Sequence, residues 1–451
     1  MLWIKRGSWV FVGVLAIYLA MVLLLYVRTY TSPIGVPDER NISMPIAIAT
    51  QNGDPVLPLV VRAYYGHRNI INNSFTALSA TYDNWNVHRL TLMNWLLGLI
   101  SAGLALTLIA SYKKQYLPLI AIPILLLLLS LRGRFNWLTP LYSSWHWLLI
   151  WLLSAGLVIR YIEIGWRQLG LLALFCVLAS FSTASGMALW GAIALCLPLL
   201  AYRDVRQIAF WVLLSAAFAW FYHTGIDLLF GSPNRYRIFD LNGLALLDLP
   251  YNLLRYTGNV FVDEGQVFVG SLGFSLLIIN TIVYYYHRGL NRKTSLWVLY
   301  IVFFCLQFTL KFLARSIDGL MWIDSWWVTP ASLIWFVLLA LIFFNMDTRK
   351  FTVWQSWLLN GINALAIVAI ISLSIAANLS ELQDIRALVV DEPLQWQHDT
   401  KTFQEFCALS IINNPDSTPQ PCIDDLLRGF MEIEDYQNLY RYRLNIYADM
   451  P

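Results

Sequence analysis

Two adjacent carboxylates, Asp38 and Glu39, open the stretch PDERN shortly beyond the first long apolar run of the chain. A carboxylate held at a membrane surface can act as general base on an acceptor hydroxyl, or as ligand to a divalent metal ion. Partial burial, or a neighbour such as Arg40, would tune its pKa for either task. The plainer alternative is an acidic pair that solvates a loop. Asp54, in NGDP, reads as a turn residue.

The basic residues offer the complementary chemistry. YDNWNVHRL, 82–90, runs into the second apolar stretch and carries Asp83, His88 and Arg89. Helix N-terminal amides beside an arginine and a histidine make an anion site suited to a lipid phosphate. An interfacial anchor built on Trp85 and Arg89 is the equal alternative. In RGRFNW, 132–137, Arg132 and Arg134 could grip a phosphate or pyrophosphate, or simply snorkel to the surface. NRYR, 234–237, offers Arg235 and Arg237 in a turn-rich segment. ARSIDGLMWIDSWWVTP, 314–330, adds Arg315, Asp318 and Asp324 beside an aromatic belt of Trp322, Trp326 and Trp327.

ASFSTASGMALW, 179–190, is a run of small and hydroxyl residues that predicts a tight helical hairpin. Packing is its first role; substrate lining by Ser182, Thr183 or Ser185 is the alternative. The chain contains no Walker loop, HExxH, GxSxG or paired CxxC, which argues against the usual ATPases, zincins and serine hydrolases. Carboxylates inside the apolar runs are scarce, and no internal repeat is visible. Both features argue against ion-coupled and inverted-repeat transporters.

The elements that must position these residues are legible from composition. Of 451 residues 58% are hydrophobic and only 13% charged, far from a soluble protein of this size. Long apolar runs without strict alternation predict an all-α, polytopic transmembrane helical bundle. Candidate spans are roughly 8–28, 91–111, 117–131, 145–162, 168–184, 186–202, 207–223, 266–286, 295–314, 328–345 and 357–376, about eleven in all. The first is too long for a signal-peptide core and lacks a small-residue cleavage site, so it reads as a start-transfer helix.

Basic residues set the expected orientation. With the N-terminus inside, the short cytoplasmic loops hold Lys113 and Lys114, Arg160 and Arg167, Arg203 and Arg206, Arg288, Arg292 and Lys293, and Arg349 and Lys350. Arg132 and Arg134 break that trend. Eleven spans put the C-terminus outside. The expected domains are a transmembrane body, 1–376, with a large first outer loop at 29–90, and a small outer C-terminal domain at 377–451. Another outer segment covers roughly 224–265. Any site therefore faces outward, because the inner loops are too short to build one. Cys176, Cys196 and Cys305 read as packing residues, while Cys407 and Cys422 in the outer tail form a plausible disulfide pair. A net charge of +3 suggests no nucleic-acid partner.

This plan resembles the GT-C superfamily of polytopic glycosyltransferases. The resemblance rests on the inside N-terminus, the acidic motif in a large first outer loop and the outer C-terminal domain. The DER of 38–40 and the GDPVLP of 53–58 are similar to the first loop of the protein mannosyltransferase and aminoarabinose transferase branches. The resemblance implies a polyprenyl-phosphate sugar as donor and an acidic residue of that loop as catalytic, which maps onto Asp38 or Glu39. Arg40, Asp83, His88, Arg89, Arg132, Arg134, Arg235, Arg237 and Arg315 are the candidates for substrate binding; the cofactor is left open, with a divalent metal ion as one candidate.

A second resemblance covers most of the chain. It is to bacterial multipass proteins without an assigned activity, which share N-x-H-R before the second span (Asn86 to Arg89), a motif like SFSTASGMALW and a similar tail. Where those lead one to expect S-R-Y, this chain has Ser325, Trp326 and Trp327. The plasma (inner) membrane of a bacterium is the expected location. The competing function is non-catalytic: a lipid-linked glycan carrier, or a subunit of a membrane assembly.

Overall fold

The computed structural model describes residues 2–31, 37–64, 67–113, 117–230, 248–289, 291–315, 327–346 and 353–386. Among the described residues the structure is helical, with a single isolated bridge between Tyr64 and His67 and no strand. The helices are α1 (Leu2–Tyr30), α2 (Pro37–Asn52), α3 (Leu57–Val60), α4 (Ile70–Asp83), α5 (Val87–Lys113), α6 (Leu117–Leu128) and α7 (Arg134–Leu138). They continue as α8 (Ser143–Tyr161), α9 (Trp166–Ser182), α10 (Met187–Cys196), α11 (Val205–Trp220), α12 (Ile226–Phe230) and α13 (Leu249–Gly258). The last four are α14 (Gln266–Arg288), α15 (Arg292–Arg315), α16 (Val328–Asn345) and α17 (Val353–Arg386).

Nine helical stretches among the described residues are long and apolar enough to cross a membrane. Backbone groups in lipid must be satisfied within the segment, and helices of this length do so. Two shorter apolar helical stretches, Trp166–Ser182 and Ala184–Cys196, complete the bundle. The helix α16 is central, with its whole length buried, whereas α1, α11 and α17 turn most of their apolar side chains outward. Such a distribution suits a bundle whose solvent is lipid, since an outward leucine costs nothing there.

The core is aromatic and aliphatic. Trp297, Tyr300, Phe304 and Phe308 of α15 are buried against α8, α10 and α16. Where helices approach closely, glycine is required. A Cβ on Gly270 of α14 would lie 1.9 Å from the Leu254 carbonyl oxygen of α13, and one on Gly258 would lie 1.9 Å from the Gln266 carbonyl oxygen. The short α13 is thus laid directly on the start of α14. The hairpin at 183–186 is similarly tight, because a Cβ on Gly186 would meet the Ala179 backbone at 2.1 Å. That contact favours packing as the role of the small-residue run. Cys176 and Cys196 are buried and Cys305 is partly so, all as free thiols within apolar helices.

Helix ends sort onto two faces. At one, here called the cap face, the end of α1 meets the start of α5, with the Thr31 hydroxyl donating to Thr91 Oγ1 at 3.1 Å. The 37–83 segment folds onto this face as α2, α3 and α4. Its Asn72 amide donates to the carbonyls of Pro140 and Leu141, at 2.9 and 2.6 Å. The opposite face is closed by short contacts, such as Arg160 Nη2 to the Ser111 carbonyl at 2.6 Å and Gln168 Nε2 to the Ile162 carbonyl at 2.9 Å. The loop expected at 29–90 is therefore largely helical. The last helix also runs past the expected boundary at 376, as far as Arg386.

Candidate functional site

Two ion pairs, Arg132 with Asp263 and Arg134 with Glu381, meet at the knuckle after α6. Ser130 caps a short 3-10 turn, its hydroxyl accepting from the Arg132 amide, and α7 follows at once. Thr139 and Pro140 then stop α7, since proline cannot continue a helical hydrogen-bond ladder. This tight folding separates Arg132 and Arg134 onto different neighbours. Arg132 is buried and forks onto Asp263, with Nη1 to Oδ2 at 2.8 Å and a second bond from Nη2 to Oδ1. Its Nε reaches the Asn259 carbonyl at 3.3 Å. The Arg132 hydrogen bonds hold the Asp263 carboxyl below the usual carboxylate range, outweighing its partial burial. Arg134 points the other way, Nη1 lying 3.6 Å from Oε1 of the buried Glu381 on α17, with its guanidinium over the Phe135 ring.

Neutral bonds lock the same knuckle. The Leu131 amide donates to Asn378 Oδ1 at 2.6 Å, and Asn136 Nδ2 donates to Thr329 Oγ1 at 2.7 Å. Trp137 Nε1 closes the turn on the Ser130 carbonyl at 2.7 Å. The knuckle thereby ties α6 to the α13–α14 turn, to α16 and to α17.

A second pair lies where α4 gives way to α5. Asn84 and Trp85 both adopt left-handed backbone conformations, with φ of 50° and 55°, and turn the chain sharply. Trp85 is buried inside the protein, so its ring packs within the fold and is not presented to a membrane interface as the anchor reading expected. Asn86 Oδ1 accepts from the Arg89 amide at 3.0 Å and so caps α5. Asp83 then faces Arg89, Oδ1 to Nη1 at 2.5 Å, with the arginine 71% exposed. His88 is exposed at the same turn.

The sequence-derived residues fall into these groups as follows. Arg132 and Arg134 share one knuckle but hold different acids. Asp83 and Arg89 form their own pair, with His88 beside them. Asp38, Glu39 and Arg40 occupy the first turn of α2, and their side chains lie outside the described residues. The far end of α2 is fixed on α4 by Gln51 Nε2, which donates to the Ala80 carbonyl at 2.5 Å. Helical rise places the first turn of α2 about 20 Å along its axis from that contact. Arg315 ends α15, its side chain outside the described residues. Arg235, Arg237, Cys407 and Cys422 lie outside them altogether. No group of three or more His, Cys, Asp or Glu side chains is placed to hold a metal ion among the described residues.

Several polar residues enter the site that sequence reasoning did not single out. Asp263 and Glu381 are the acids of the knuckle. Lys311, buried in α15, sets its ammonium 3.7 Å from the Trp145 ring centroid, 4.0 Å from that of Trp327 and 5.6 Å from that of Tyr256. Such a desolvated cation–π cage is worth up to about 2 kcal/mol or more. Gln307 Nε2 steadies it through the Tyr256 hydroxyl at 3.1 Å. A lone lysine inside an apolar run was the available signal, because an ionised group there is costly unless it has a task. Arg68 is buried between the cap and α11–α12, and carried no such signal in its polar surroundings.

The fold and these buried charges define an all-helical, multipass integral membrane protein. No family model, curated protein or solved structure matches the chain.

Proposed function

We propose that the protein is a membrane glycosyltransferase of GT-C type, taking a sugar from a polyprenyl-phosphate donor on the cap face. In this reading the two shorter apolar stretches also cross, giving eleven passes with the N-terminus inside and the cap face outside, in a bacterial plasma membrane. Asp38 or Glu39 deprotonates the acceptor hydroxyl or holds a divalent metal ion that does the electrostatic work. Arg89, with His88, meets the donor phosphate at the start of α5, where helix amides add to the field. Arg132 and Arg134 complete the cationic rim, and Arg40, Asp83, Arg235, Arg237 and Arg315 shape its edge. The tail beyond 376 lies outside, with Cys407 bonded to Cys422.

The observation that carries this reading is the folding of α2–α4 onto the same face as the Asp83–Arg89 pair and the Arg132–Arg134 knuckle. The far end of α2 and the Asp83–Arg89 and Arg132–Arg134 groups lie on the cap face, which supports the reading, with the acidic first turn about 20 Å further along α2. Low-dielectric surroundings strengthen contacts to a developing phosphate charge.

A second reading has its own support. Arg89, Arg132 and Arg134 each already face a carboxylate, so a phosphate must compete with Asp83, Asp263 and Glu381. Such pairing suits a non-catalytic carrier of lipid-linked glycans, or a subunit of a membrane assembly. One experiment separates the two. Asp38→Asn and Glu39→Gln variants are purified, checked for folding, and assayed for transfer of labelled sugar from polyprenyl-phosphate donors in vesicles. Loss of a general base lowers the rate by about 10²–10⁴-fold. Transfer at the unaltered rate by the double variant sinks the enzymatic reading.

A further inference from the structure

The transmembrane stretch Val205–Phe230 contains a π-helical turn, Phe221–Gly225, between α11 and α12. A π-turn houses one residue more than an α-turn, and such bulges often accompany function. The hydrogen bonds at the turn differ from those of an α-helix. In an unbroken α-helix the Ile226 amide would donate to the Tyr222 carbonyl. Instead it donates to the Phe221 carbonyl, five residues back. The Tyr222 carbonyl receives Arg68 Nε, at 2.8 Å.

Arg68 belongs to the cap, just after the Tyr64–His67 bridge, and it is 1% exposed. Its remaining donors are also engaged. Nη1 donates to the Val61 carbonyl at 2.8 Å and Nη2 to Asp227 Oδ1 at 2.5 Å. Its backbone amide donates to the Tyr222 hydroxyl at 3.0 Å. The neighbouring His67 reaches Thr183 Oγ1 at 3.3 Å through Nδ1, so the bridge is also fastened to the hairpin after α9. One guanidinium therefore binds both the carbonyl of Tyr222 and the first-turn acid of α12.

We propose that Arg68 is a latch that holds the π-turn open and couples the position of the cap to the rotation of α12. With the latch engaged, Ile226 is buried while Leu228 and Leu229 face outward, at 72% and 68% exposure. With Arg68 withdrawn, the Ile226 amide returns to the Tyr222 carbonyl and the turn closes to α geometry. The residues of α12 then rotate by about 100° and shift by about 1.5 Å. Ile226 leaves its buried place, and Asp227 leaves the cap. A movement of α2–α4 is in this way transmitted to the rim of the bundle. The device stands independently of the glycosyltransferase reading.

A deletion tests the latch directly, because removing one π-turn residue closes the turn without rotating α12. The full-length protein is studied in lipid nanodiscs as Arg68→Leu, as a deletion of the exposed Thr224, and as the combination. Spin labels are placed singly at Ile226→Cys and Leu228→Cys in each background. The deletion is expected to lower Tm in the wild-type background and to raise it in the Arg68→Leu background. That non-additivity is the signature of a shared element. The label at 226 should be immobile in the parent, mobile in Arg68→Leu, and immobile again in the combined variant.

If Arg68→Leu does not yield folded protein, Arg68→Lys serves. It keeps the charge but cannot bind the carbonyl and Asp227 in the same planar fork. Equal loss of Tm on deletion in both backgrounds overturns the latch. So does a label at 226 that stays immobile when Arg68 is replaced.

Discussion

Arg68 and Arg89 lie on the same face of the bundle, yet they illustrate opposite uses of one side chain. Arg89 begins a long helix, is largely exposed and has an ion-pair partner in Asp83 at 2.5 Å. Arg68 is sealed from solvent and spreads its donors over two carbonyls and a carboxylate. An exposed pair exchanges water for a screened contact and gains little. A buried guanidinium has lost its water entirely, so removing it deprives the Val61 carbonyl of its donor and Asp227 of its counter-charge. Burial, and not residue type, decides which arginine the fold depends on.

Substitutions put this contrast to the test, the largest effect first. Arg68→Leu should cost about 3–5 kcal/mol, as expected for breaking a buried pair from one side. Denaturant or thermal unfolding in detergent measures it, and a loss below that of Arg89→Leu would reverse the comparison.

The Arg132–Asp263 pair comes next, with a buried arginine and an acid whose side chain is 74% exposed. Its contribution should depend on pH with a definite sign. Arg132 depresses the folded-state pKa of Asp263, so this stability is fully present above the ordinary carboxylate pKa. It is lost as pH falls through the lower folded value. Asp263→Asn should therefore be less stable than the parent at neutral pH by about 1 kcal/mol, and should converge with it in strong acid. A gap that widens on acidification would contradict the assigned pair.

Asp83→Asn should have the smallest effect, within about 1 kcal/mol and shrinking as salt is raised. A larger or salt-insensitive loss would mean that Asp83 does more than hold an exposed arginine.

The bundle was readable because lipid imposes a simple rule: long apolar runs must be helices. Expected spans such as 91–111 and 266–286 fall inside the helices Val87–Lys113 and Gln266–Arg288. The span expected at 207–223 falls short for a physical reason. His223, Thr224 and Asp227 interrupt the apolar run, but Arg68 meets the Asp227 charge and the helical stretch continues through Leu228 and Leu229 to Phe230. Likewise the helices α2 and α4 lie in polar sequence and depend on packing against the body for their burial. Ala47 of α2 and Ala80 of α4 are both fully buried, and α2 lies against α4.

The site was legible only in part. Arg132, Arg134, Asp83 and Arg89 stood out because charges are rare in this chain, and all four sit on the cap face. Their partners did not stand out, because Asp263 and Glu381 are distant in sequence and an ion pair across helices leaves no local pattern. The Trp145, Tyr256 and Trp327 rings around Lys311 come from three separate segments, and nothing in their spacing announces a cage.

Sequence alone thus determined the class of this protein, an all-helical membrane bundle, since hydrophobic length is a one-dimensional property and the bilayer reads it directly. Tertiary structure alone decided which acid each arginine meets and where an α-helix yields to a π-turn. Those choices depend on distances between segments that the chain brings together only on folding, and on the loss of water that follows.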